Sequence, residues 1–179
     1  MLTKILLIVA VLLIGFCIVA ALQPAHFNYT RSITIAAPPS ALFAQVNNLH
    51  NFQNWNPWAK VDPNAKMIYS GPDAGVGASY QWVGNKDVGE GVMTITESRP
   101  NELVRCRMDF KKPMEATNMA EFTFKPEGDK TVVTWGMSGT NKFVGKAFGL
   151  IVNCDKMVGT QFDKGLATLK SMTEKNSTN

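Results

Sequence analysis

Six short runs rich in β-branched and aromatic residues follow one another through the middle of the chain, at 66–70, 79–83, 89–98, 102–110, 116–124 and 131–139. The links between them are short and built from turn-forming residues: Gly71-Pro72-Asp73 with Gly75 and Gly77, Gly84-Asn85-Lys86-Asp87, Arg99-Pro100-Asn101, and Pro126-Glu127-Gly128-Asp129. Such links leave no room for crossover helices, so successive strands must be antiparallel neighbours in a meander. Alternation sets the two faces. Val104, Cys106, Met108 and Phe110 point one way and Arg105, Arg107 and Asp109 the other, while Val133, Trp135 and Met137 oppose Thr134, Gly136 and Ser138. One face is therefore buried and one polar, unlike the all-apolar strands of a doubly wound parallel sheet.

Upstream, Phe27 to Ile35 reads as a further strand with Phe27, Tyr29, Arg31, Ile33 and Ile35 on one face, stopped by Ala36-Ala37-Pro38-Pro39. The proline pair or Ser40 opens a short helix bearing Leu42, Phe43 and Val46. Leu49 and Phe52 continue into a second short helical or irregular segment, and Pro57 argues against a long helix around Trp55-Asn56-Pro57-Trp58. Downstream, Phe148, Ile151, Val152, Met157, Val158, Phe162, Leu166, Leu169 and Met172 recur at three- and four-residue steps, which predicts one long helix over about 146–172. A stripe of that length needs an equally long apolar partner, and the inner face of a curved sheet supplies one. Residues 174–179 are expected to fray.

The start of the chain obeys a different rule. From Ile5 to Leu22 no residue is charged or strongly polar. At 1.5 Å per residue this run spans about 27 Å as a helix, close to the thickness of a bilayer's hydrocarbon core. The expected organisation is a transmembrane anchor over 1–25, one domain over 26–175 and a flexible tail over 176–179. Lys4 and the amino terminus on one flank, against His26 and Arg31 beyond the Gln23-Pro24 break, favour a cytoplasmic amino terminus and a domain outside the cytoplasmic face. A cleaved signal peptide is the competing reading, with Val19-Ala20-Ala21 as its cleavage site, although its apolar core is usually only about 7–15 residues.

Composition narrows the chemistry. The chain holds 18 Lys and Arg against 14 Asp and Glu without a basic cluster, which argues against a nucleic-acid partner. His26 and His50 are its two histidines, and no Cys-x-x-Cys or His-Glu-x-x-His spacing exists, so neither a metal nor a cofactor is expected. Outside the apolar run, Cys106 falls in a strand pattern and Cys154 in a helix pattern; both read as buried free thiols. Arg105, Arg107, Asp109 and Glu121 read as an ionic ladder on the outer face. Glu90 reads as a solvent carboxylate at a strand entry, or as a group at a cavity mouth. Asp155 lies within the apolar stripe. It is either a desolvated carboxylate of raised pKa that anchors a ligand hydroxyl, or a paired structural one. The aromatic residues and methionines supply walls for an apolar pocket, with Phe143, Val144 and Phe148 placed to gate one end.

Several segments carry a resemblance. Ser32-Ile33-Thr34-Ile35-Ala36-Ala37-Pro38-Pro39 followed by Leu42-Phe43, then Trp55-Asn56-Pro57-Trp58, Gly75-Val76-Gly77-Ala78, Gly89-Glu90-Gly91 and Ile95-Thr96-Glu97, resemble the START-like, or SRPBCC, superfamily. So does Asp155-Lys156-Met157-Val158-Gly159 leading to Phe162-Asp163-Lys164-Gly165-Leu166. Over roughly residues 27–173 the chain is similar to the bacterial polyketide cyclase/dehydrase-like group, many of whose members also have an amino-terminal anchor. The resemblance implies an α+β helix-grip (START-like, Bet v 1-like) fold, in which a curved antiparallel sheet wraps around a long C-terminal helix, preceded here by one transmembrane helix. It also implies a bacterial setting, in which the flanking charges favour a single-pass inner-membrane protein with a periplasmic domain. The superfamily includes lipid carriers, metabolite binders, cyclases and chaperone activators, and no shared catalytic motif carries over to numbered residues.

The leading expectation is therefore a membrane-tethered domain that binds a hydrophobic small molecule or lipid through Trp55, Trp58, Tyr80, Trp82, Met108, Phe110, Trp135, Asp155 and Phe162. One alternative is a polyketide cyclase/aromatase-like enzyme with Asp155, Glu90 or an arginine in the cavity. The other is a partner-binding domain without ligand, which would show a filled interior and an exposed apolar patch.

Overall fold

A computed structural model describes residues 1–176. Helix α1 (Leu2–Leu22) is apolar all round from Ile5 onward, and Ala20 is its single buried residue. Among the described residues it is the one helix long and apolar enough to cross a membrane. Gln23 leaves it in an extended conformation, as the following proline demands.

Seven strands form one antiparallel sheet: β1 (His26–Ile35), β2 (Lys66–Ser70), β3 (Ser79–Val83), β4 (Glu90–Arg99), β5 (Leu103–Lys112), β6 (Ala116–Glu127) and β7 (Lys130–Thr140). Their spatial order is β1-β7-β6-β5-β4-β3-β2, so β2 to β7 are the expected meander and β1 closes on its last strand. A register shift between Ile95 and Glu97 keeps Glu97 beside Arg105 on the outer face. Arg105 also meets Glu121 there, Arg107 pairs with Asp109, and the ionic ladder of the outer face is in place.

Three short helices, one more than expected, separate β1 from β2: α2 (Pro39–Asn47), α3 (Leu49–Gln53) and α4 (Trp58–Val61). Pro39 occupies the first turn of α2, where its missing N–H costs nothing. The Asn48 side chain caps α3 by accepting from the N–H groups of His50 and Asn51. The Trp55 indole N–H donates to the carbonyl of Gln45 at 3.1 Å, which fixes the α3–α4 corner to α2.

The single helix expected over 146–172 is two helices, α5 (Phe143–Ile151) and α6 (Cys154–Asn176). Val152 is extended between them, and the Asn153 side chain accepts from Lys156 N–H at 2.9 Å as the cap of α6. Glu174 and Lys175, expected in a frayed tail, belong to α6, and Glu174 accepts from the Ala36 N–H. The tail expected over 176–179 lies, from residue 177 onward, outside the described residues.

Helix α6 grips the sheet with Phe162, Leu166 and Leu169 fully buried. Two glycines set how closely it lies. A Cβ on Gly165 would sit 2.8 Å from the Trp135 ring and 3.0 Å from Pro57, and one on Gly159 would overlap the Arg31 guanidinium. The core beneath joins Ile35, Val133 and Trp135 to Phe122, Phe124, Val104, Cys106, Ile95 and Met93, closed at one side by Leu42, Val46, Leu49 and Phe52.

Candidate functional site

Between the first half of α6, the α3–α4 corner and the inner face of β2 to β7 lies a cavity of about 330 Å³. Strand alternation brings its walls together: Met67 from β2, Tyr80 and Trp82 from β3, Met93 from β4, Met108 and Phe110 from β5, and Trp135 and Met137 from β7. Gly91 lets the Trp82 ring lie flat on the sheet, since any Cβ there would run into that ring. Phe52 and Trp58 close the helical side, and Val158 and Phe162 form the ceiling.

The aromatic groups are locked to one another. Trp135 is the hub, stacked on Phe162 at 4.2 Å between centroids and met edge-on by Trp55 at 5.5 Å and Trp58 at 5.8 Å. Polar atoms in the interior are few. Asn56 is buried, its amide donates to Gln53 Oε1, and its Oδ1 accepts from Trp58 N–H. Burial pushes the Tyr80 phenol well above its ordinary pKa, against a smaller opposing effect of the Gln53 amide, so it stays a neutral hydroxyl. The exposed wall residues Lys86, Asp87, Lys112 and Pro113 lie together at one end, and this end is the mouth.

Of the nine residues singled out in the sequence, Trp58, Tyr80, Trp82, Met108, Phe110, Trp135 and Phe162 border the cavity. Trp55 does not: it is buried one layer behind, packed against Phe52 and Phe122. Asp155 is corrected more severely. It lies in the first turn of α6, with 54 % of its side chain exposed, and accepts two hydrogen bonds from Arg31 at 3.0 and 3.1 Å. Those hydrogen bonds hold its carboxyl below the usual range, so of the two readings of Asp155 the paired structural carboxylate is the one met and the desolvated ligand anchor is not. Periodicity misplaced it because the helix break at Val152 and Asn153 resets the phase of the stripe.

Glu90 pairs with Lys112 at 2.6 Å and is not a wall residue. Phe143, Val144 and Phe148 do not gate the cavity; they are exposed on α5. Wall residues that the sequence reading passed over include Ala65, Ala120, Val88 and Val158. The alternation of β6 was available as a signal for Ala120, whereas Ala65 and Val88 sit in loops without periodicity. Cys106 is buried behind the wall, its thiol pushed up to about 12 by burial. His50 stacks on Tyr69 at 3.8 Å, and among the described residues no cluster of His, Cys, Asp and Glu is placed to hold a metal ion.

Comparison with known proteins places this geometry. The family profile described as polyketide cyclase / dehydrase and lipid transport matches residues 26–174. Among solved structures, protein CV1439 from Chromobacterium violaceum is similar, with a TM-score of 0.59 at 14% identity over 85% of this chain and 99% of that one. The Aha1 dimer from Colwellia psychrerythraea has a TM-score of 0.59 at 18% identity, covering 83% of this chain and 96% of that one. The di-domain ARO/CYC StfQ of the steffimycin biosynthetic pathway has a TM-score of 0.63 at 8% identity, over 87% of this chain and 53% of its own. These likenesses concern the fold. A comparison with curated protein sequences found no match.

Proposed function

Because the chain belongs to the polyketide cyclase, dehydrase and lipid transport family, we propose that its domain binds a hydrophobic small molecule or lipid in the cavity beneath α6, while α1 holds it at a membrane. The observation that carries this reading is an interior of about 330 Å³ walled almost wholly by aromatic rings, methionines and aliphatic groups. That volume is at the lower end of the roughly 300–1,000 Å³ typical of ligand pockets. Waters filling it would mostly face carbon or sulfur. Returning them to bulk drives an apolar guest inward, at about 25 cal/mol per Å² of apolar surface covered. The Tyr80 hydroxyl, the Asn56 amide and the charged mouth limit the polar groups such a guest can carry to one or two.

Retention of α1 as an anchor is supported by its last turn. Ala20 is buried against the rest of the chain, and the Ala21 carbonyl accepts from Lys146 Nζ at 3.1 Å. Cleavage after Ala21 would remove both contacts. The Lys4 flank supports a cytoplasmic amino terminus, which puts the domain on the extracytoplasmic side.

The test uses the full chain, extracted from membranes in mild detergent. Apolar compounds released on unfolding are identified by mass spectrometry, and an apolar fluorescent probe is titrated into the delipidated protein. We expect a co-purifying apolar compound and saturable one-to-one uptake that this compound competes. A chain that carries nothing and takes up no probe refutes the reading.

A further inference from the structure

Helix α5 has a composition that a water-facing helix does not tolerate. Its nine residues, Phe143 to Ile151, include one polar side chain, Lys146, and that ammonium is spent on the Ala21 carbonyl at the end of α1. Phe143, Val144, Phe148, Leu150 and Ile151 are exposed, Phe148 by 46% and Ile151 by 76%. Nine residues rise only about 14 Å, too short to cross a bilayer, yet this is the apolar load of a helix lying in an interface. The partner is indicated by position. α5 packs beside α1, and the Asn141 N–H donates to the Ala25 carbonyl at 2.8 Å, so α5 sits where the anchor leaves the membrane.

Sheet register puts the cavity mouth at the same level. His26 pairs with Thr140, Asn118 with Gly139, Ala116 with Phe110, Glu90 with Lys112, and Val83 with both Glu90 and Lys66. The beginning of β1, the end of β7 and the loops after β3 and β5 thus share one end of the sheet. The mouth residues Lys86, Asp87 and Pro113 belong to those two loops and Lys112 ends β5 beside them, and Met114 stands exposed at the tip of the second loop. Charged side chains beside the exposed apolar ones match the boundary of a bilayer, where headgroups meet acyl chains.

We propose that α5 is an interfacial lipid-binding helix that docks the domain mouth-down on the bilayer, so that the cavity exchanges its guest directly with the membrane that holds α1. The guest is then a bilayer-resident amphiphile rather than a solute of the aqueous phase. The docking rests on α1 lying in a membrane, and the identity of the guest rests in addition on the ligand-binding reading above.

The full chain is reconstituted in vesicles of phosphatidylethanolamine and phosphatidylglycerol in equal parts, with Cys17→Ser and Cys154→Ser removing the exposed and half-buried thiols. A fluorophore is attached at Ile151→Cys, at Met114→Cys or, at the far end of the sheet, at Asp129→Cys. Spin-labelled lipid should quench the first two strongly and iodide weakly, with the reverse at residue 129. Equal iodide quenching at 151 and 129 overturns the docking. So does protection of 151 that grows with protein density without quenching by lipid, because the face would then cover a second copy.

A second measurement separates the two readings. The double variant Phe148→Asp/Ile151→Asp should take up an apolar probe from detergent solution to the parent's capacity, but extract it from vesicles at least about tenfold more slowly. Unchanged extraction overturns the mouth-down exchange. Absence of uptake by parent and variant alike removes the ligand reading and the exchange with it, while the quenching still decides the docking.

Discussion

Phe162→Ala removes the ring on which the grip of α6 depends. Phe162 is 1% exposed, stacked on Trp135 at 4.2 Å and edge-on to Trp58 at 6.1 Å. Truncating a fully buried phenylalanine costs about 3–5 kcal/mol, which combines lost transfer free energy with the void left behind. One side of this ring already borders the cavity, so fewer contacts are lost than in a filled core, and the expected cost is about 3 kcal/mol. For a domain of about 150 residues that lowers the melting temperature by about 6–12 °C, within a total stability of about 5–15 kcal/mol. Phe148→Ala is the matched control, the same chemistry on exposed α5, with an expected cost below about 0.5 kcal/mol in detergent. Thermal unfolding of the full chain in micelles, followed by tryptophan emission, reads both. A ligand that fills the enlarged cavity should restore about 2.7 kcal/mol at one hundred times its dissociation constant. Equal losses for the two variants, or less than about 1 kcal/mol for Phe162→Ala, refute the claim that this ring couples the helix to the sheet.

Three further outcomes follow from the same geometry. Ala120→Phe, placed in the cavity wall, should abolish uptake of an apolar probe while changing stability by no more than about 1–3 kcal/mol, as read by probe titration beside a melt. Asp155 has a lowered folded pKa, so the stability from its pair with Arg31 is present above the unfolded value and lost as pH falls through the folded one. Melting temperature against pH should therefore fall less steeply below about pH 4 in Asp155→Asn than in the parent, and parallel curves would disprove the coupling. The Cys106 thiol, buried and pushed up to about 12, should resist a thiol reagent at pH 8 until the domain unfolds, whereas the half-buried Cys154 reacts in the folded state; mass spectrometry of the labelled peptides distinguishes them.

The sheet was legible because each of its strands is bounded by turn chemistry and has one polar face, so period and punctuation agree over 66–140. Five of the seven chosen side chains that border the cavity do so for the same reason: alternation places Tyr80, Trp82, Met108, Phe110 and Trp135 on the inner face whatever the tertiary detail, whereas Trp58 and Phe162 come from helices. The errors concentrate between 143 and 157. An apolar stripe reports which residues leave water, not what they leave it for, and here one unbroken three-and-four pattern serves two solvents. Phe162, Leu166 and Leu169 enter the protein core, whereas Phe148 and Ile151 stay exposed beside α1. Asn153 was the available signal for the break, since an asparagine caps a helix better than it continues one.

The same break accounts for the position of Arg31. An unbroken helix would carry Asp155 round with the apolar stripe toward the sheet, and the guanidinium of Arg31, on the inner face of β1, would lie under it in the core. Restarting the helix at Cys154 turns Asp155 to the rim, where it meets Arg31 half in solvent, and Gly159 leaves the space through which that side chain reaches it. Asp163 approaches the same guanidinium at 3.6 Å from the next turns of α6. The charged group of β1 is thus satisfied along the edge of the grip, and the buried part of the cavity wall holds no charged side chain. An apolar cavity survives in so small a domain because the Arg31–Asp155 pair lies outside it, at the joint between exposed α5 and the helix that grips the sheet.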